Sequence, residues 1–332
     1  MKRALVMQPA FIGDAICSVA LANTLATIDP EFEISYLVRP ESASLLSYAP
    51  NIHRVFAFDK YGEDSGIKGI EAKAAELNSV GFDVVFCLHR SRRTIELVKR
   101  LNVPMKVGIV PSPVFTHVIP AEKTDDAPTS AARLARTLSS NADITALPTL
   151  RLPSTLLPPE FSQLPRPIIG IAPGSVWKTK RWPARHVASL IQLLSSRAGS
   201  IVLIGQKTDV DSEIINPVST YDVKLISYLS KLSLEASAAV ISHLDVLVSN
   251  DSAPVHIAVA VGTPVVDVLG PTVKEFGFAP RPASGIVAEC EGLWCRPCAS
   301  HGSNECPIHT FDCMNKIDPA VVLARTLEYV AR

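Results

Sequence analysis

The chain has 332 residues, 47% of them hydrophobic and 19% charged, with 32 basic residues balanced by 32 acidic ones. That length accommodates two domains with a full core in each, and the composition excludes a disordered chain. Zero net charge gives no global case for a nucleic-acid binder, and no apolar run is long enough to span a bilayer.

The N-terminus opens on Lys2, Arg3 and an apolar stretch that imitates a secretion signal, but Gln8, Pro9 and Asp14 interrupt it. RALVMQ (3–8), the loop PAFIGD (9–14) and AICSVALANTLATI (15–28) instead fit a strand, a turn and a helix. The expected location is the cytosol, with room for peripheral contact at the inner face of the membrane. The strand FEISYLV (32–38), the helix ESASLLSYA (41–49) and the short strand HRVFAF (53–58) follow. After them come the helix 67–81, the buried strand FDVVFCLH (82–89), the helix 91–103 and the strand KVGIV (106–110). Residues 116–164 hold one helix, at 129–140, and then a Pro-rich run, which reads as an inter-domain linker. The second half restarts with RPIIGIAPG (166–174), the helix 184–199 and the strand SIVLIG (200–205). A helix at 210–217, the strand VKLIS (223–227), the helix 234–244, the strand DVLVSN (245–250), the helix VHIAVAV (255–261) and the strand TPVVDVLG (263–270) complete it. Strands alternating with helices predict an α/β chain of two doubly wound parallel sheets, with a cleft between them.

Residues 249–272, SNDSAPVHIAVAVGTPVVDVLGPT, are the most informative stretch. A buried strand ends in a polar turn, Asp251, Ser252 and Ala253, and a helix opens near Pro254. Proline is favoured there because its missing N–H would have no partner. The free N–H groups of such a start form an anion site, which His256 in the first turn can also face. Asp and Ser are equally ordinary helix caps.

Three other segments carry chemistry. Pro173, Gly174 and Ser175 precede Lys178, Lys180 and Arg181, so a close backbone approach, a hydroxyl and cations meet before a helix; the spacing is not that of a P-loop. Gly13 and Asp14 lie at the start of the first helix, where Asp14 is either a first-turn acid or a general base at a strand's carboxyl end. His89, Arg90, Arg92 and Arg93 form a basic turn after the buried strand; cations there oppose the helix dipole, which favours a functional reason.

Seven cysteines are present, five of them between positions 290 and 313. Cys17 and Cys87 fall in apolar segments and read as buried and inert. Cys295, Cys298, Cys306 and Cys313 have the count and leading C-x2-C knuckle of a four-thiolate site for structural zinc or iron, with His301 and His309 in reserve. Free or disulfide-paired thiols are the competing reading.

Taken in order, GD before a helix, FDVVFCLHRSRR, PGSVWKTKRWP, the 249–272 stretch and the cysteine segment ending at CMNKI resemble glycosyltransferase family 9, the bacterial heptosyltransferases. The resemblance implies a GT-B fold with two Rossmann-like domains facing a central cleft. An acceptor-binding domain would span residues 1–160 and a nucleotide-sugar domain with the Cys-rich end residues 161–332. It implies an inverting enzyme that moves heptose from ADP-heptose to the lipopolysaccharide inner core, a lipid-anchored anionic glycan, without a catalytic metal. Asp14 would be the base. Ser175 and Lys180 would meet the donor diphosphate, Asp251 the donor sugar, and Ser252, Ala253 and His256 the phosphates. Arg90, Arg92 and Arg93 would read the acceptor. Some members of the family hold iron in a cysteine finger. Two departures stand out: Ala253 replaces a Gly frequent in the family, and the loop GQKTDVD (205–211) lacks the Glu expected to meet the ribose, leaving Asp209 or Glu213. A sugar-nucleotide epimerase and a non-catalytic sugar-nucleotide-binding protein are the alternatives.

Overall fold

A computed structural model describes residues 2–206 and 223–330. Within it the chain forms two compact units, residues 1–151 and 152–332. In the first, six strands lie in the order β3-β2-β1-β4-β5-β6: β1 Arg3–Met7, β2 Glu33–Val38, β3 Arg54–Ala57, β4 Val84–Cys87, β5 Met105–Gly108 and β6 His117–Val118. In the second the order is β12-β11-β10-β7-β8-β9: β7 Ile168–Ala172, β8 Ser200–Leu203, β9 Lys224–Ser227, β10 Val246–Asn250, β11 Val265–Leu269 and β12 Gly285–Glu289. Every pairing in both sheets is parallel.

The strands are continuous apolar runs because both sheet faces are covered. β4, β7, β8, β10 and β11 are buried along their whole length. One face of the first sheet packs Leu5, Met7, Val85 and Cys87 against Ile70, Ala74, Leu77 and Leu97 of the helices Gly66–Asn78 and Arg92–Lys99. In the second, Ile169, Ile171, Val246, Val248, Val266 and Val268 pack against Val187, Leu190 and Leu194 of the helix Ala184–Leu194 and Val322 of the helix Pro319–Val330.

Renumbered from its own first strand, the second sheet repeats the order 3-2-1-4-5-6 of the first. Strand order reverses between β1 and β4, and again between β7 and β10. Ligands of open α/β sheets bind beyond the carboxyl ends of strands at such a switch point, so the loops after β1, β4, β7 and β10 are where function is expected.

The structure departs from the sequence reading in three places. The first helix runs Ile12–Ile28, so Gly13 and Asp14 lie inside its first turn rather than in a loop. The segment expected to be a linker is largely part of the first unit. Its helix is short, Ala127–Ala132, and continues as a 3-10 turn, Arg133–Thr137. Ala132 and Ile144 pack on Ala20, and Asn23 donates to the Leu147 carbonyl at 2.7 Å. Small apolar residues scattered among prolines hid that packing. Strands β6 and β12 and the helix Pro319–Val330 extend the fold beyond what periodicity marked. The helix expected at 210–217, with Asp209 and Glu213, lies outside the described residues.

Candidate functional site

At the second switch point, the loop after β7 and the turn after β10 lock together. Lys180 Nζ donates to Asp251 Oδ2 at 2.6 Å, and Thr272 Oγ1, from the turn after β11, donates to the same oxygen at 2.7 Å. The Lys180 and Asp251 side chains are only 12% and 9% exposed. Desolvation on that scale makes a lone charge costly, so each partner holds the other in place. Asn250 stitches the two loops: its Nδ2 donates to the Pro173 carbonyl at 2.5 Å, and its Oδ1 accepts from Trp182 N at 3.1 Å. Ser175 accepts through its hydroxyl from Trp177 N at 3.3 Å and through its carbonyl from Arg181 Nε at 2.8 Å.

The helix Ala253–Val261 begins at this pair, with Ser252 as N-cap and Pro254 in the first turn, as the sequence pattern expects. The Ser252 hydroxyl does not cap it; it donates to the Asn250 carbonyl at 3.1 Å. The helix start therefore keeps its partial positive charge for a ligand. Gly262 ends the helix at φ 82°, a left-handed position that favours glycine. His256 is buried in the first turn, and burial pushes its imidazole down to about 4, with the nearby Lys180 charge acting the same way against Asp251. At neutral pH it is a neutral hydrogen-bonding group and not a cation.

At the first switch point Asp14 is half-buried in the first turn of its helix. The basic turn after β4 is exposed at Arg90, Arg92 and Arg93. Ser91 caps the helix Arg92–Lys99, accepting from Thr94 N at 3.3 Å. Arg93 donates to the Lys60 carbonyl at 2.9 Å and stands over the Tyr61 ring at 5.0 Å. Lys60 in turn donates to the Pro9 carbonyl at 2.8 Å, tying the loops after β1, β3 and β4 together. Burial, then the Arg39 and Arg93 charges, lower its pKa. His89, pushed down to about 4 by burial and by Lys60, is neutral and bonds Thr94 Oγ1 at 2.7 Å. Sequence reasoning missed Lys60 and Tyr61; a basic and aromatic pair just past a parallel strand was the available signal.

The cysteine segment does not meet the expectation of a structural zinc or iron site. Among the described residues, no three His, Cys, Asp or Glu side chains are gathered where they could hold one ion. None of the seven cysteines forms a disulfide. Cys313 belongs to the core of the second unit, where burial pushes its thiol up to about 11. Cys298 donates to the Cys295 carbonyl at 3.2 Å, and burial, with Cys295 and Cys306 nearby, raises its pKa as well. Cys306 is held low instead, since backbone N–H groups of residues 308–311 outweigh its burial. Cys298, Cys306 and Cys313 line one small cavity, but closeness of that kind is not a ligand set, and the C-x2-C spacing does not tell the two apart.

Asp267 is a second feature outside the sequence reading. It sits on β11 with no exposed surface, and among the described residues neither carboxyl oxygen has a hydrogen-bond partner. Burial, with Asp251 adding to it, raises its pKa well above the ordinary carboxyl range.

This chain is similar to known proteins over nearly its whole length. It is 31% identical over 131 residues to lipooligosaccharide heptosyltransferase 2 of Haemophilus influenzae, an alignment covering 38% of each chain. It is 24% identical over 291 residues to lipopolysaccharide heptosyltransferase 2 of Salmonella typhimurium, covering 82% of this chain and 84% of that one. The structure of the Escherichia coli ADP-heptose lipopolysaccharide heptosyltransferase II superposes with TM-score 0.78 at 20% identity, over 100% of this chain and 99% of that one. The fold is thus that of the GT-B glycosyltransferases, and the protein is a transferase. The chain belongs to glycosyltransferase family 9 (heptosyltransferase), whose profile matches residues 74–309. That assignment decides against the epimerase and the non-catalytic alternatives.

Proposed function

We propose that the protein is an inverting heptosyltransferase that moves heptose from ADP-heptose to the inner core of lipopolysaccharide. The observation that carries the reading is the buried Lys180–Asp251 pair at the start of the uncapped helix Ala253–Val261. A cation and oriented N–H groups in a desolvated turn suit a diphosphate, above all one gaining charge as a leaving group. In the proposed step an acceptor hydroxyl attacks the anomeric carbon of the heptose from the face opposite ADP. The new C–O bond forms as the bond to the diphosphate breaks, which inverts the centre. Asp14 takes the hydroxyl proton. A carboxylate in a first helical turn is favoured as the anion, so it acts late, when the attacking oxygen has become acidic. Lys180, Ser175 and the backbone of Ser252 and Ala253 receive the charge on ADP, and His256 contributes as a neutral group. This distribution of charge requires no divalent metal.

The acceptor assignment rests on Arg90, Arg92 and Arg93, joined by Lys60, as cations for phosphate or carboxylate groups. An acceptor with a lipid anchor places the enzyme at the inner face of the membrane. Exposed Phe11, Tyr61 and Ile67 on the first unit support that placement. No helix of the described residues is long and apolar enough to cross a membrane.

The test is calorimetric titration of ADP, UDP and GDP, followed by a transfer assay with purified inner-core acceptor. Selective ADP binding and acceptor-dependent turnover are expected. Preference for UDP or GDP removes ADP-heptose as the donor, and failure to bind any of the three removes the donor site itself.

A further inference from the structure

The segment after β12 gathers no metal set, yet it braces the neighbours that hold both members of the Lys180–Asp251 pair. On one side Thr179, the residue before Lys180, is tied to Ser303 by three hydrogen bonds. Thr179 N and Oγ1 donate to the Ser303 carbonyl at 3.0 and 2.9 Å, and Ser303 N donates back to Thr179 Oγ1 at 2.9 Å. Trp177 stacks on His301, with ring centroids 5.1 Å apart and planes 4° from parallel. Between these contacts lies Gly302, where a Cβ would stand 2.5 Å from Trp177 Cβ and 3.0 Å from Lys180 Cγ. Only glycine lets the segment lie this close to the stem of Lys180. On the other side Arg296 donates to the Thr272 carbonyl at 2.7 Å and to Glu289 Oε2 at 2.9 Å. Thr272 is the residue whose hydroxyl holds Asp251.

We propose that residues 296–303 form a clamp that positions the Lys180–Asp251 pair for the donor diphosphate, with Gly302 and the Thr179–Ser303 contact as its working parts. The inference rests on the reading of Lys180 as a donor contact. A flexible lysine stem loses rotamer entropy when it is held in one geometry. A cation already aimed at the developing charge stabilises it without reorganisation at the moment of reaction. Within the loop 173–182, residues 174–178 are partly or fully exposed and bury nothing of their own before Thr179; the clamp supplies the missing support. Thr179, Gly302, Ser303 and Arg296 are positioning residues and touch the ligand in no step of the reaction.

The experiment is calorimetric titration of ADP into Gly302→Ala, Thr179→Val, Thr179→Ser and His301→Ala, with Gly302→Ala repeated in a Lys180→Ala background. Displacement of a binding group by about 1 Å can cost up to a hundredfold, so Gly302→Ala and Thr179→Val are expected to weaken ADP about tenfold or more. Thr179→Ser keeps the hydroxyl and the parent affinity. His301→Ala, at an exposed side chain, is expected to weaken ADP several-fold. In the Lys180→Ala background Gly302→Ala changes affinity no further, because the group it positions is gone. Parent-like affinity in Gly302→Ala and His301→Ala, beside a weakened Lys180→Ala, overturns the clamp and leaves the donor reading intact. An equal loss from Gly302→Ala in both backgrounds also overturns it, since the effect then bypasses Lys180. If Lys180→Ala itself binds ADP as the parent does, the donor reading fails and the clamp with it.

Discussion

The two units share one strand order and differ in how their switch points are furnished. In the second, Lys180, Asp251, Thr272 and Asn250 interlock below the surface, and a loop from residues 296–303 braces them. In the first, Arg90, Arg92 and Arg93 are exposed, and their neighbours are joined mainly through backbone carbonyls, as Arg93 is to Lys60 and Lys60 to Pro9. Topology therefore selects which loops carry function, while burial selects how rigidly their side chains are held. A preset pair suits one invariant ligand, a diphosphate. Exposed cations on long stems suit a large acceptor whose anionic groups are spread over a surface.

Four sets of substitutions sharpen or break that comparison. The largest effect is expected from Asp14→Asn. Loss of a general base lowers the transfer rate by about 10²–10⁴ with ADP affinity unchanged, measured by transfer to inner-core acceptor beside ADP calorimetry. Turnover within twofold of the parent would deny the first switch point a chemical role. Lys180→Ala is expected to weaken ADP by about 1–3 kcal/mol, the range for a charge-assisted hydrogen bond. It also leaves Asp251 without its ion pair, so a lower melting temperature accompanies the loss, and Lys180→Ala with Asp251→Asn recovers part of that stability but not the affinity.

Asp267→Val tests the cost of an unsatisfied carboxyl beneath the rigid site, with an expected gain of about 1–3 kcal/mol. The gain depends on pH. The folded-state pKa of Asp267 is raised, while the unfolded carboxyl titrates near about 3.9. Below that pH both states are protonated and the carboxyl adds no pH-dependent cost. As pH rises toward the folded value the unfolded chain ionises, the folded one does not, and the parent loses stability. Urea midpoints of parent and variant should therefore separate further at pH 7 than at pH 4; a constant separation would mean that Asp267 ionises within the fold. The smallest effect belongs to Arg92→Ala and Arg93→Ala. Each is expected to raise the acceptor KM by the equivalent of about 0.2–1 kcal/mol, the range for exposed charge pairs, and to lose that effect in high salt. A salt-independent loss would place these arginines in a preset site like that of the second unit.

Much of the fold was legible because alternating apolar strands and helices repeat twice, and β1, β4, β7, β10 and β11 appear where the apolar runs are. β12, whose Ile286, Val287 and Glu289 are only partly buried, and the helix Pro319–Val330, which buries mainly Val322 and Thr326, carry weak patterns and went unread. Of the candidate site, Lys180, Asp251, Ser252 and His256 could be named from a basic loop and a polar turn, each before a helix, and from the family resemblance, although Asp and Ser are equally ordinary caps. That Lys180 and Asp251 pair could not be read, since 71 residues separate them and only the β7–β10 pairing brings their loops together.

By itself the sequence determined the α/β class, the doubling of the sheet and the family to which the chain belongs, because apolar periodicity and short motifs are local properties. Tertiary structure alone decided which loops meet, that burial makes His256 a neutral group, and, among the described residues, that Asp267 is buried without a partner and that no three metal-ligating side chains are gathered for one ion. Each of these depends on desolvation and on distances between residues remote in the chain, and neither quantity exists until the sheets have formed.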